Sequence, residues 1–292
     1  MQSRAAWIGT ALLAASATCY STAGFFTRLV EADSPTMLFW RGVIAGLFLS
    51  AMVAWRERGH VARSVRAIGR DGLLIVLCSA LATVSFLNAL RLSTVAEVMV
   101  IDALSPFVTA GLAWVFIGER EDRITLLATL AAVAGVALMA GPAIADGRLI
   151  GNVLAFAMVV LMSAVLVLMR RNPGISMLPA VALSAFLCAL FVLPWARPLS
   201  VGGADMLHLV LFGTTQFGMG LLLLSLGTPL VSATRGALIG TLQTPLGTLW
   251  VWLAFSETPA TATLIGGNIV LVAVVADILL PRRPRNYAVG NL

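Results

Sequence analysis

The sequence predicts an all-α membrane protein of ten transmembrane helices, arranged as an inverted 5+5 repeat with both termini cytoplasmic. Composition, the spacing of apolar runs and the placement of arginine carry this expectation. Of 292 residues, 60% are hydrophobic and 11% charged, and the mean hydropathy is +0.98. Soluble domains run at about 45–50% apolar and about a quarter charged, so an ordinary soluble enzyme is excluded. Apolar runs bounded by charge, proline or glycine fall at 7–28, 35–55, 72–91, 94–118, 124–141, 149–169, 176–195, 206–226, 230–255 and 261–280. Each approaches the roughly 20 residues that cross a bilayer. None alternates at period two, so each reads as a helix that satisfies its own backbone hydrogen bonds. All 19 basic residues are arginine. With the N-terminus inside, thirteen fall in cytoplasmic segments and four outside, which orients the chain by the positive-inside bias. The basic balance is therefore topology, and nucleic acid is not an expected partner.

Taken in order, the first run (Trp7 to Arg28) follows a single early Arg4 and imitates a signal peptide, but it is long enough to span and reads as the first helix. The second carries Trp40 and Arg41, the third Phe86 and Asn88. In the fourth, Asp102, Ser105, Pro106 and Thr109 share a face at offsets 0, +3 and +7. The fifth is rich in Ala and Gly. The sixth repeats the first at a shift of 142, where Ile8, Gly9, Leu12, Ala15, Ser21 and Arg28 meet Ile150, Gly151, Leu154, Ala157, Ser163 and Arg170. The eighth brings Gln216 and Phe217. The ninth repeats the fourth at a shift of 139, with Thr241, Thr244, Pro245 and Thr248 on the stripe and Gln243 between them. The tenth carries Asn268 and Asp277. A repeat unit of five spans returns its second copy inverted, as in many secondary transporters. The expected organisation is residues 1–145 as the first repeat, 146–281 as the second, and 282–292 as a cytoplasmic basic tail.

Cys19, Cys78 and Cys188 sit in separate apolar runs, and His60 and His208 have no partner at metal-ligand spacing. No metal, cofactor or membrane-enzyme chemistry is expected from them. A proline in each polar-striped span interrupts the helix. Interrupted helices at matching places in two halves are the strongest sequence pointer to a transport site. The competing structural role of each Ser or Thr is a bond to its own preceding turn or to a neighbouring helix.

The stretch from Ala89 to Met139, with Leu104-Ser-Pro106 leading to Gly118-Glu119-Arg120, resembles the EamA-type members of the drug/metabolite transporter superfamily. Leu242-Gln-Thr-Pro245 through Ser256-Glu257 repeats the pattern, and Phe39-Trp40-Arg41-Gly42 resembles the family's arginine-bearing second span. The first span has Cys19-Tyr20-Ser21 where many relatives show Trp-Gly. The resemblance implies ten helices, a central cavity and alternating access, and its closest branch in overall character is that of the aromatic amino acid exporters.

Ionisable groups at membrane depth are costly unless paired or solvated, so each is a functional candidate. Arg41 reads either as an interfacial anchor or as a partner for a substrate carboxylate or Glu97. Glu97 and Arg235, near the starts of the fourth and ninth spans, read as gate residues together with Arg41, Pro106 and Pro245. Asp102 is deeper, as a hydrogen-bonding acid or a proton or ammonium acceptor. Asp277 reads as interfacial, and Glu119 and Glu257 as helix-end residues. With Arg41 and Arg235 as the only arginines inside the spans, a phosphorylated substrate is disfavoured. The candidate binding set is Tyr20, Trp40, Phe86, Asn88, Asp102, Ser105, Ser163, Gln216, Thr241, Gln243 and Thr244. Aromatics, amides and hydroxyls suit a small neutral or zwitterionic amino acid, aromatic ones included. The expectation is therefore a non-enzymatic exporter of the bacterial inner membrane, without cofactor, competent as a monomer, with the lipid bilayer as its setting. The alternative on the same fold is an exporter of amphipathic drugs or nucleoside-like metabolites.

Overall fold

A computed structural model of the chain describes residues 4–57, 66–93, 95–140, 149–256 and 259–280. The basic tail, Arg58, His60, Arg63, Arg148, Glu257 and Thr258 lie outside these, so of the counterpart to Gly-Glu-Arg only Ser256 is described. Among the described residues every regular element is helical. The helices are α1 (Arg4–Ser21), α2 (Ala23–Leu29), α3 (Ser34–Glu57), α4 (Gly69–Leu92), α5 (Val95–Asp102), α6 (Ser105–Ile117) and α7 (Arg123–Ala140). There follow α8 (Leu149–Arg171), α9 (Leu178–Val192), α10 (Gly203–Leu211), α11 (Met219–Gly227), α12 (Ala233–Gly240), α13 (Gln243–Phe255) and α14 (Thr261–Leu279). A π-helical segment, Phe212–Gly218, joins α10 to α11. Eight helical stretches among the described residues are long and apolar enough to cross a membrane, and Arg123–Met139 is a shorter apolar helix.

Lipid tails are as apolar as leucine, so helices in a bilayer associate through close packing and polar bonds, which favours small residues at crossings. The crossings here obey this. Ala45, Ala80, Ala132, Ala155, Ala180 and Ala185 are fully enclosed. At the α7–α14 crossing a Cβ on Gly135 would lie 2.7 Å from the Gly266 carbonyl oxygen, so only glycine permits the approach. The first helix of each half packs into the other half: α1 lies against α11, α12 and α13, and α8 against α4, α5 and α6. One apolar core joins α3, α4, α8 and α9 through Leu49, Ile75, Met169 and Val181. A second joins α1, α7, α12 and α14 through Leu13, Val136, Leu238 and Val270.

The stretches expected as the fourth and ninth spans are each broken in the same place. α5 and α12 have 8 residues each, and α6 and α13 have 13 each. Each break is a two-residue turn, Ala103–Leu104 and Thr241–Leu242, where the backbone tightens to i→i−3 bonds: Leu104 N–H to Ile101 O at 3.0 Å and Leu242 N–H to Ile239 O at 3.1 Å. The expectation that each proline kinks a continuous helix is not met, because each helix is already broken before its proline. Pro106 and Pro245 sit in the first turn of the second piece, where a backbone N–H has no intrahelical partner to lose. Both second pieces also end alike, on a left-handed residue, Gly118 at φ 66° and Ser256 at φ 55°.

Candidate substrate site and gates

The end of α1, the start of α3 and the π-helical segment converge on one charged group. Arg41 is the eighth residue of α3, roughly 10 Å along a helix rising 1.5 Å per residue. Its guanidinium carbon lies 4.3 Å from the Phe217 ring centroid and 5.6 Å from that of Phe212. Among the described residues Arg41 meets no carboxylate, and its buried Nε has no hydrogen-bond partner. The expected alternative of an Arg41–Glu97 pair is not formed. Tyr20 closes the other side, its ring edge-on to Phe217 at 6.5 Å. Gln216, itself buried, donates through Nε2 to the Tyr20 carbonyl at 3.3 Å and leaves Oε1 without a partner among the described residues. Nearby on α9, the Cys188 thiol lies 3.1 Å from the Thr83 hydroxyl of α4.

The π-helix makes this arrangement. One extra residue per turn rotates Gln216 and Phe217 toward α1 and α3, a feature common at functional sites. Gly213 and Gly218 let the wider segment lie against α3: a Cβ on Gly213 would come 2.6 Å from Ile44, and one on Gly218 2.8 Å from the Phe48 ring.

The serines that coincide at the 142 shift perform matched tasks. Trp250 of α13 donates its indole N–H to Ser21 of α1 at 2.8 Å. Thr109 of α6 donates to Ser163 of α8 at 2.9 Å, and Ser163 donates more weakly to the Ser105 carbonyl at 3.4 Å. In both cases the second piece of a broken span is tied to the first helix of the opposite half. Ser163, expected to touch substrate, is fully buried in this link.

Buried charge marks the third residue of each first piece. Glu97 of α5 accepts from the Ser93 hydroxyl, which lies 2.6 Å from the side-chain amide oxygen of Asn152 on α8. Arg235 of α12 pairs with Asp277 of α14 at 3.2 Å, and Thr125 of α7 donates to the other Asp277 oxygen at 2.8 Å. Asp277 was expected at an interface with solvent. It is instead fully enclosed, because Arg235 and Thr125 supply the charge and hydrogen bond that make burial tolerable.

Glu119 closes the ring of contacts. It accepts from Ala233 N–H at the start of α12 (3.3 Å) and from Arg170 Nη2 (3.4 Å), while Arg170 also donates to the Pro229 carbonyl. A carboxylate at a helix N-terminus satisfies an orphan donor and complements the helix dipole. The Gly-Glu-Arg motif therefore joins the end of one broken span to the beginning of the other.

The other expected site residues are scattered. Trp40 donates to the Pro198 carbonyl at 3.1 Å and holds a loop. Phe86 packs on Met158 and Val159 of α8. Asn88 and Thr241 bond their own helices, to Val84 O at 2.8 Å and Leu238 O at 2.7 Å. Asp102 ends α5 at the first break, half-buried, and Gln243 and Thr244 open α13 just after the second. Phe212, Ser21 with Trp250, and the capping role of Glu119 were not in the expected site. An unbroken apolar run gives no warning of a π-helix beyond the flanking Gly213 and Gly218.

Residues 7–141 match the EamA-like transporter family. Family members are membrane transporters of small solutes. The EamA-like half thus contains α1 to α7, including Arg41, the first broken span and Glu119. A solved structure described only as "Crystal structure of protein" superposes on 97% of this chain and 100% of its own, with a TM-score of 0.82 at 21% identity. The two chains therefore share a fold over nearly their whole length. Curated proteins returned no match.

Proposed function

We propose that the chain is a ten-span exporter of small zwitterionic amino acids, aromatic ones included, working in a bacterial inner membrane with both termini cytoplasmic. Its two halves form an inverted 5+5 repeat, and substrate passes between them by alternating access. The guanidinium of Arg41, which meets no carboxylate among the described residues and lies beside Phe217, Phe212 and Tyr20, carries this reading. A cation at membrane depth with no counter-ion among the described residues fits an anionic group on a ligand, and one Arg suits one carboxylate. Gln216 Oε1, buried and unpartnered among the described residues, offers an acceptor for an ammonium group. Aromatic faces beside both favour an apolar or aromatic side chain. The matched breaks at 103–104 and 241–242 supply two hinges, and the Ser21–Trp250 and Ser163–Thr109 bonds couple each hinge to the opposite half. Efflux of phenylalanine, threonine and methionine from loaded proteoliposomes tests the reading. Saturable movement supports it, and purely linear leakage of all three overturns it.

A further inference from the structure

On the outer flank of the bundle, α7 and α14 leave an apolar groove of about 700 Å³, lined by Leu127, Ala131, Ile265, Val272 and Ala276 among others. Two polar residues line it: Asp277, fully buried and paired with Arg235, and Asn268, whose side chain is exposed. Asn268 is the eighth of the 19 residues of α14 and therefore near mid-span. It donates one N–H back to the Leu264 carbonyl at 2.9 Å. Its amide oxygen and second N–H have no partner among the described residues. The residues that α7 contributes to the groove, Ile124, Leu127, Ala128 and Ala131, are all apolar, so the amide marks the α14 flank only.

An uncommitted amide facing hydrocarbon is unfavourable, and asparagine across transmembrane helices is a known adhesive. A lipid chain could fill the groove but offers no donor or acceptor. A second copy of this chain offers both, because in a two-fold contact each amide presents one N–H and one oxygen to its equivalent. Ala131 and Ala276 lower the groove wall so that backbones can approach.

We propose that the chain self-associates in the membrane as a two-fold dimer through the α7–α14 groove, with Asn268 hydrogen-bonded to the partner's Asn268. The dimer does not rest on the transport reading: Arg41 and its aromatic neighbours lie elsewhere, and α14 meets the second broken span through Asp277–Arg235 and Gly267–Pro245 on its buried side. Single-molecule photobleaching of full-length, fluorescently tagged protein in dilute liposomes tests it. Wild type bleaches in two steps. Asn268→Leu weakens association about 3- to 30-fold, the range expected for one interhelical amide contact. Val272→Trp, which fills the groove and leaves Asn268 in place, also lowers the two-step fraction. Thermal unfolding of both variants near the wild-type temperature separates lost association from lost folding. Single-step bleaching of wild type, with or without lipid held in the groove, overturns the proposal. So does wild-type association in both variants.

Discussion

The guanidinium of Arg41 lies 4.3 Å from the centroid of the Phe217 ring. Placing a cation over an aromatic face is worth about 0.5–2 kcal/mol, which offsets only part of the cost of holding a charge at this depth. The residual cost is relieved when a carboxylate arrives. Arg41→Gln keeps a polar, though shorter, side chain and removes the charge. Its kcat/KM for efflux falls roughly 10- to 100-fold, the loss expected for a charged hydrogen bond. Arg41→Lys recovers little of this, because an ammonium lacks the planar fork that stacks on Phe217. Initial rates against internal substrate concentration measure both.

Pro245 is buried in the first turn of α13, against Gly267 of α14. The rigid ring fixes the direction in which the second piece leaves the break. Pro245→Ala restores an N–H that can bond back across Thr241–Leu242, which favours a continuous helix. Turnover is expected to fall several-fold while expression and unfolding temperature stay near wild type. Wild-type turnover reduces this proline to a packing residue.

Arg235 and Asp277 form a buried pair at 3.2 Å. Asp277→Ala leaves the guanidinium enclosed without its counter-charge and destabilises the protein by about 3–5 kcal/mol. Replacing both, as Arg235→Met with Asp277→Leu, returns most of that stability, since two apolar groups leave no uncompensated charge. Thermal unfolding in one detergent across the single and double variants checks the ordering.

Ser256 ends α13 at φ 55°, where Gly118 ends α6 at φ 66°. A side chain in the left-handed region costs about 1 kcal/mol that glycine avoids. Ser256→Gly therefore raises the unfolding temperature, and Gly118→Ser lowers it. Opposite signs at these two sites check that the two helix ends are equivalent.

Much of the architecture was legible in the sequence because a bilayer demands long apolar runs and leaves few alternatives. The expected fourth span, 94–118, and ninth span, 230–255, bracket the broken helices within a few residues. The shift that aligned Pro106 with Pro245 also located both breaks to within a turn. The site was less legible, for physical reasons. Ser163 read as a cavity hydroxyl, yet polar groups in hydrocarbon find each other, and it is bonded by Thr109 at 2.9 Å. Asp277 sits near a span end, which looks interfacial until Arg235 and Thr125 arrive from other helices. The π-helix at Phe212–Gly218 turns on a backbone choice that side-chain periodicity does not encode. Tyr20, Arg41 and Gln216 were named individually. That they converge with Phe217 depends on the packing of α1 and α3 against the second half.

The most direct test of the account is inhibition of phenylalanine efflux from proteoliposomes by phenylalanine and by phenylalaninamide, in wild type and Arg41→Gln. If Arg41 receives the α-carboxylate, phenylalanine competes strongly with wild type and the amide, which lacks the anion, competes weakly. The preference then disappears in Arg41→Gln. Equal competition by the two compounds in wild type, or a preference that survives Arg41→Gln, contradicts the account.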